Sequence, residues 1–142
     1  MNDIYLHALK LLSARDYTVA KLREKLEAKF GSAPQEIIDE LVQKQFLNDR
    51  RFAENYVANR KNRGELLLRE ELLARGVSGV LTDQVLSGTD WPSLKEAVAA
   101  TLNDWKLRPP LDARDAARLF RALLRLGYDE DCIREEISHL HD

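Results

Sequence analysis

The sequence predicts an all-α protein made of three tandem three-helix repeats, stacked as an elongated array that stacking can curve. Three observations carry this. Leu, Ala, Glu, Arg and Lys dominate 142 residues that contain only four prolines and six glycines, a helix-forming composition. No segment alternates apolar and polar residues for long enough to form a strand. Finally, one block recurs: Leu22-Arg23-Glu24-Lys25-Leu26-Glu27-Ala28-Lys29 returns 46 residues later as Leu68-Arg69-Glu70-Glu71-Leu72-Leu73-Ala74-Arg75. A weaker third copy follows after 51 residues more, where Leu119, Leu123 and Gly127 match Leu68, Leu72 and Gly76. Six residues beyond the second leucine of each copy stands an N-cap residue: Ser32, Ser78 and Asp129.

The elements follow in order. Ile4, Ala8, Leu11 and Leu12 make the first apolar stripe. Leu22, Leu26 and Phe30 make the second, which Gly31 stops. Ser32 and Gln35 have capping-box spacing ahead of Ile37, Ile38, Leu41 and Val42. In the second repeat, Asn48 or Asp49 caps a helix bearing Phe52, Ala53, Tyr56 and Val57, which Gly64 breaks. Leu68 and Leu72 lead to the stop at Gly76, and a short third helix bears Val80, Leu81, Val85 and Leu86. In the third, Asp90 and Pro92 open a helix carrying Leu94, Val98, Leu102 and Trp105, and Pro109-Pro110 ends it. Asp112 caps the next helix, and Ile133, Ile137 and Leu140 close the chain. Repeats are expected at 1–47, 48–88 and 89–142, with short joints at Phe46-Leu47-Asn48 and Leu86-Ser87-Gly88-Thr89.

Composition excludes several classes of function. A net charge of −2 argues against a polybasic nucleic-acid binder, but the sign alternates along the chain. Residues 49–75 hold seven bases and five acids, residues 106–125 six and two, and residues 126–142 one and six, so any electrostatic site must be local. The lone Cys132 rules out an intramolecular disulfide and suits a reducing cytosol. The N-terminal residues lack a basic and apolar leader, and no apolar run approaches the length of a bilayer span. The expectation is a cytoplasmic chain without a membrane anchor.

No catalytic constellation appears. His7, His139 and His141 have no partners at metal-ligand spacing. Cys132 follows Asp129, Glu130 and Asp131, whose charge opposes thiolate formation, and reads as a small core or boundary residue. Gly76-Val77-Ser78-Gly79 is a helix stop and cap, not a phosphate loop. The expectation is a binding protein with no enzyme activity, no metal and no cofactor.

The basic residues are the candidates for binding. Arg114, Arg118, Arg121 and Arg125 recur at spacings of four, three and four, within roughly 60° of one another on a helix. Leu119 and Leu123 face the opposite way. A merely solvated face would mix signs; this one is all arginine, whose forks suit phosphates and carboxylates. Arg60, Lys61 and Arg63 form a second cluster at a helix C-terminus, where the macrodipole alone accounts for bases. Lys21, Lys25 and Lys29 are interleaved with Glu24 and Glu27 and read as a solvated line. Trp91 and Trp105, at the two ends of one helix, read as core or staple residues.

The stretch Phe46-Leu47-Asn48-Asp49-Arg50-Arg51-Phe52-Ala53-Glu54-Asn55-Tyr56-Val57, then Arg60 and Gly64, then Glu71-Leu72-Leu73-Ala74-Arg75-Gly76-Val77, resembles the signature of the RecX family. Those proteins are bacterial regulators of the RecA recombinase. Ala8-Leu9-Lys10-Leu11-Leu12 before Asp16-Tyr17-Thr18, and Leu123-Leu124-Arg125-Leu126-Gly127-Tyr128 before Ile133, extend the resemblance over nearly the whole chain. It departs at Glu65 and Leu67, where the family often has proline and a base. The resemblance implies a monomeric modulator that binds the RecA nucleoprotein filament, touches nucleic acid within it, and mostly suppresses its ATPase and strand exchange in DNA repair, recombination and the SOS response. Arg51, Arg60, Arg63, Arg114, Arg118, Arg121 and Arg125 are the expected contacts. The alternative is a stand-alone helical DNA-binding module.

Overall fold

The computed structural model describes residues 2–141, the Asn62 side chain excepted. Among the described residues it is all-α: α1 Asp3–Ala14, α2 Val19–Phe30, α3 Gln35–Gln43, α4 Asp49–Ala58, α5 Glu65–Ala74, α6 Gly79–Ser87, α7 Leu94–Trp105, α8 Ala113–Arg125 and α9 Glu130–Ser138, with a 3-10 turn at Lys61–Arg63. No helix among them is long and apolar enough to cross a membrane.

Side-chain caps set most of the helix starts. Thr18, Asn48, Ser78, Asp112 and Asp129 each accept from the backbone N–H three residues on, satisfying one donor that the first turn leaves without a partner. Asn48, rather than Asp49, caps α4; the Asp49 carboxylate accepts from Val19 N at 2.9 Å, at the start of α2. Two expected starts move. Ser32 does not cap α3, which begins after Pro34, and Gln35 bonds Arg23 and Asp39 instead of closing a capping box. The residue before a proline is disfavoured in the helical region, so the helix waits for Pro34. By the same argument α7 starts beyond Pro92, with Ser93 as its cap. It ends at Trp105, short of Pro109-Pro110, because Lys106 turns left-handed at φ 59° and Leu107 N closes onto Leu102 O.

Contacts divide the chain into two units, Met1–Asn59 with Arg69–Gly88, and Arg60–Leu68 with Thr89–Asp142. In the first, Ala8, Tyr17, Leu22, Leu26, Ile37, Ile38, Leu41 and Leu47 form a buried cluster, and α4 packs on α6. The Thr18 hydroxyl, fully buried, caps α2 and donates to Arg75 O at 2.6 Å. Beside it Gly76 lies so close to Ala20 that an added Cβ would stand 2.3 Å from the Ala20 Cβ. In the second unit, α7, α8 and α9 pack mutually around Val98, Leu102, Leu119, Leu123 and Ile133. Tyr128 Oη donates to Pro92 O at 2.8 Å, and Leu111 N to Leu140 O at 2.7 Å, tying the loop before α8 to the end of the chain.

The recurring leucines Leu22, Leu26, Leu68, Leu72, Leu119 and Leu123 are all fully buried. Among the other stripe residues, Val42 is exposed, and so is Val80, at 71%. The inner face of α6 is Thr82, Val85 and Leu86, and Val80 stands about 200° round the helix from Thr82. Cys132 is exposed as well, not a core or boundary residue.

A candidate partner-binding surface on α8

Helix α8 forms for local reasons. The Asp112 carboxylate accepts from Asp115 N at 2.7 Å, and Ala, Leu and Arg fill the turns that follow. Arg125 stands in the last turn, where its charge favours the carbonyl end of the macrodipole. Ala116, Leu119 and Leu123 are buried, which commits the orientation of the helix. Deleting either leucine would cost about 2–5 kcal/mol, so the arginines opposite have no freedom to turn inward. Arg114, Arg118, Arg121 and Arg125 are all exposed. Eleven steps of 1.5 Å from Arg114 to Arg125 make this a ridge of about 16 Å.

Among the described residues none of the four has a carboxylate within ion-pair distance. Two of the four acids of the neighbouring α9 are engaged locally: Arg134 pairs with Glu130 at 2.7 Å and reaches Asp131 at 3.8 Å. The ridge therefore keeps its charge. One member is held in place, since the Arg118 guanidinium lies 3.7 Å from the centre of the Trp105 ring. A contact of this kind contributes about 0.5–1 kcal/mol at an exposed site and fixes a fork that would otherwise be mobile. Trp105 is thus the bed of a cationic contact, a role its sequence position could not reveal.

The other candidates divide. Arg60 caps the 3-10 turn, Arg63 is its last residue, and both belong to the same unit as the ridge. The Gly64 backbone that follows abuts Leu126, whose carbonyl oxygen would lie 2.4 Å from an added Cβ, which brings this turn to the Arg125 end of α8. Both arginines are engaged by neighbouring groups, and Arg60 is half-buried. Arg51 stands apart, in the other unit. Its guanidinium donates to Gln45 O at 2.8 Å and Phe46 O at 3.4 Å and lies 3.7 Å from Asp16, closing the link between α3 and α4.

The Cys132 thiol is pushed up by its hydrogen bond to Asp129 and by that carboxylate's charge, the reverse of what activates a nucleophile. His7 is pushed down by desolvation and by Lys29 and Lys10. No group of three metal-ligating side chains occurs among the described residues.

Comparison with known proteins decides the family. A sequence profile described as the second three-helix domain of RecX matches residues 48–86, from the Asn48 cap to Leu86 in α6. The chain is 38% identical to the regulatory protein RecX of Trichlorobacter lovleyi, over 94% of this chain and 93% of that one. The chain belongs to the RecX family. A second relative, the regulatory protein RecX of Chromohalobacter salexigens, is 35% identical over 93% of this chain and 89% of its own. The crystal structure of RecX from Lactobacillus salivarius shares the fold, with a TM-score of 0.72 at 23% identity over 96% of this chain and 94% of that one. Within this chain, the unit comprising Arg60–Leu68 and Thr89–Asp142 contains six of the seven arginines that the sequence singles out.

Proposed function

We propose that this protein binds the RecA nucleoprotein filament as a monomer in the cytoplasm and modulates it, mostly by restraining ATP hydrolysis and strand exchange during DNA repair, recombination and the SOS response. The four exposed arginines of α8, which among the described residues have no carboxylate within ion-pair distance, carry the reading. A charged ridge left unneutralised by its own protein has its affinity to gain from phosphates or carboxylates on a partner. Membership of a family of regulatory proteins supports the same reading, as does an overall charge of −2, which disfavours tight binding to naked duplex. Arg60 and Arg63 extend the contact at the Arg125 end, and nucleic acid is touched inside the filament.

The test is filament binding at several salt concentrations, together with the ATPase of RecA on single-stranded DNA. Wild type should lower the ATPase and prefer filament to free RecA or bare DNA. Changing Arg118 and Arg121 together to Ala should leave the fold intact, weaken binding, and flatten the salt dependence by about one unit per lost phosphate contact. A double variant that keeps the wild-type curve would remove the ridge from the site. Equal affinity for bare duplex and for filament would favour a stand-alone DNA-binding module.

A further inference from the structure

We propose a second binding site, in the unit that lacks the α8 ridge, whose ligand is a nucleoside phosphate. A cleft of about 470 Å³ opens between the α1–α2 turn, α2, α4 and the end of α5, a volume within the range of about 300–1,000 Å³ typical of small-ligand sites. Arg15, Lys21, Lys25 and Arg75 line it against two carboxylates, Asp16 and Glu24. Both carboxylates already have partners: Glu24 pairs with Lys21, itself in the lining, at 3.3 Å, and Asp16 lies 3.7 Å from Arg51, outside the lining, and accepts from Tyr17 N. Among the described residues Arg15 and Lys25 have no carboxylate within ion-pair distance, and both are exposed. The cleft therefore holds a surplus of positive charge that its own walls do not neutralise.

The walls are also flat. The Arg15 guanidinium lies 5.0 Å from the centre of the Tyr17 ring, and both residues line the cleft, a pair of planar groups on which a base can stack. Phe52, half-buried and stacked on Tyr56 at 5.8 Å, lines the cleft from α4. Arg75 is pre-set: its guanidinium lies 4.6 Å from the Tyr56 ring and donates to Glu71 O at 3.2 Å. Stacking surfaces beside two cations without a carboxylate, Arg15 and Lys25, match a ligand with a flat base and a phosphate. An acidic peptide would use the cations and leave the stacking surfaces idle. The phosphate chemistry could come from a free nucleotide or from one nucleotide of a single strand.

Amide spectra of the full chain, titrated with ADP, pyrophosphate, an eight-residue thymidine oligonucleotide and a hexaglutamate peptide, test this. ADP or the oligonucleotide should bind saturably and shift Arg15, Tyr17, Lys25 and Phe52, with pyrophosphate at least about tenfold weaker for want of a base. Binding by ADP alone assigns a free nucleotide; tighter binding by the oligonucleotide, in competition with ADP, assigns a strand. Lys25→Glu and Arg15→Glu should each weaken binding about tenfold or more. Both positions are exposed, so both variants should melt as wild type does. Arg121→Ala, in the other unit, should change nothing here, so this site and the filament reading fail separately. The proposal is overturned if neither nucleotide probe shifts these residues, if both variants bind as wild type does, or if hexaglutamate binds as tightly as ADP.

Discussion

Gly31 and Gly76 end the central helices of the first two repeats at nearly the same backbone angle, φ 78° and φ 87°, yet replacing them by alanine should have different consequences. The left-handed conformation costs a residue with a Cβ about 1–2 kcal/mol. At Gly31 nothing lies within 4 Å of the added carbon, so Gly31→Ala should cost that amount and no more. At Gly76 the added carbon would sit 2.3 Å from the Ala20 Cβ and near the buried Thr18 hydroxyl. Ala20 has no flexible end to swing away, so α2 must move from the end of α5, an overpacking cost of about 1–3 kcal/mol or more. Gly76→Ala should therefore lose about 2–5 kcal/mol in total. Urea unfolding followed by circular dichroism measures both. Ala20→Gly in the Gly76→Ala background should restore the steric part and leave the conformational part, giving a coupling of more than about 1 kcal/mol in a double-mutant cycle. Equal losses for Gly31→Ala and Gly76→Ala, or a cycle without coupling, would refute the steric argument.

Leu72, fully buried, and its exposed neighbour Leu73 should separate clearly: Leu72→Ala should cost about 2–5 kcal/mol and Leu73→Ala less than about 1 kcal/mol in the same unfolding assay. Thr18→Val keeps shape but loses both the α2 cap and the bond to Arg75 O; it should cost about 2–4 kcal/mol, whereas Thr18→Ser should recover most of that. For Cys132, the pH midpoint of iodoacetamide alkylation should lie above that of a small unperturbed thiol, because Asp129 opposes thiolate formation. Asp129→Asn keeps a capping side chain and removes the charge, so the midpoint should fall and the rate at pH 8 should rise; an unchanged profile would assign the shift elsewhere.

Much of this molecule could be read along the chain because its information is periodic. The two leucines of each of the three pairs stand four residues apart, and all six side chains are buried. The α8 ridge was legible for the same reason: four arginines on one helical face, opposite leucines that must be inside, can only point outward. What failed depended on competition between neighbouring signals. Ser32 has the right chemistry for a cap, but Pro34 two residues later sets where α3 can begin. Val80 is as apolar as Val85, but on so short a helix the buried threonine Thr82 shares the inner face and Val80 does not.

The cleft was invisible for a different reason. Arg15, Lys25, Phe52 and Arg75 come from four segments, and each has a bland local reading: a base after a helix, a solvated lysine, a core aromatic, a helix-ending base. They meet only because Thr18 holds the start of α2 to the Arg75 carbonyl and Asp49 caps the same helix start from α4. A surface that lies along one helix is thus written in one stretch of sequence. A site assembled by caps that reach from one helix to another is written in the caps, and Thr18 and Asp49 are the residues through which it could have been found.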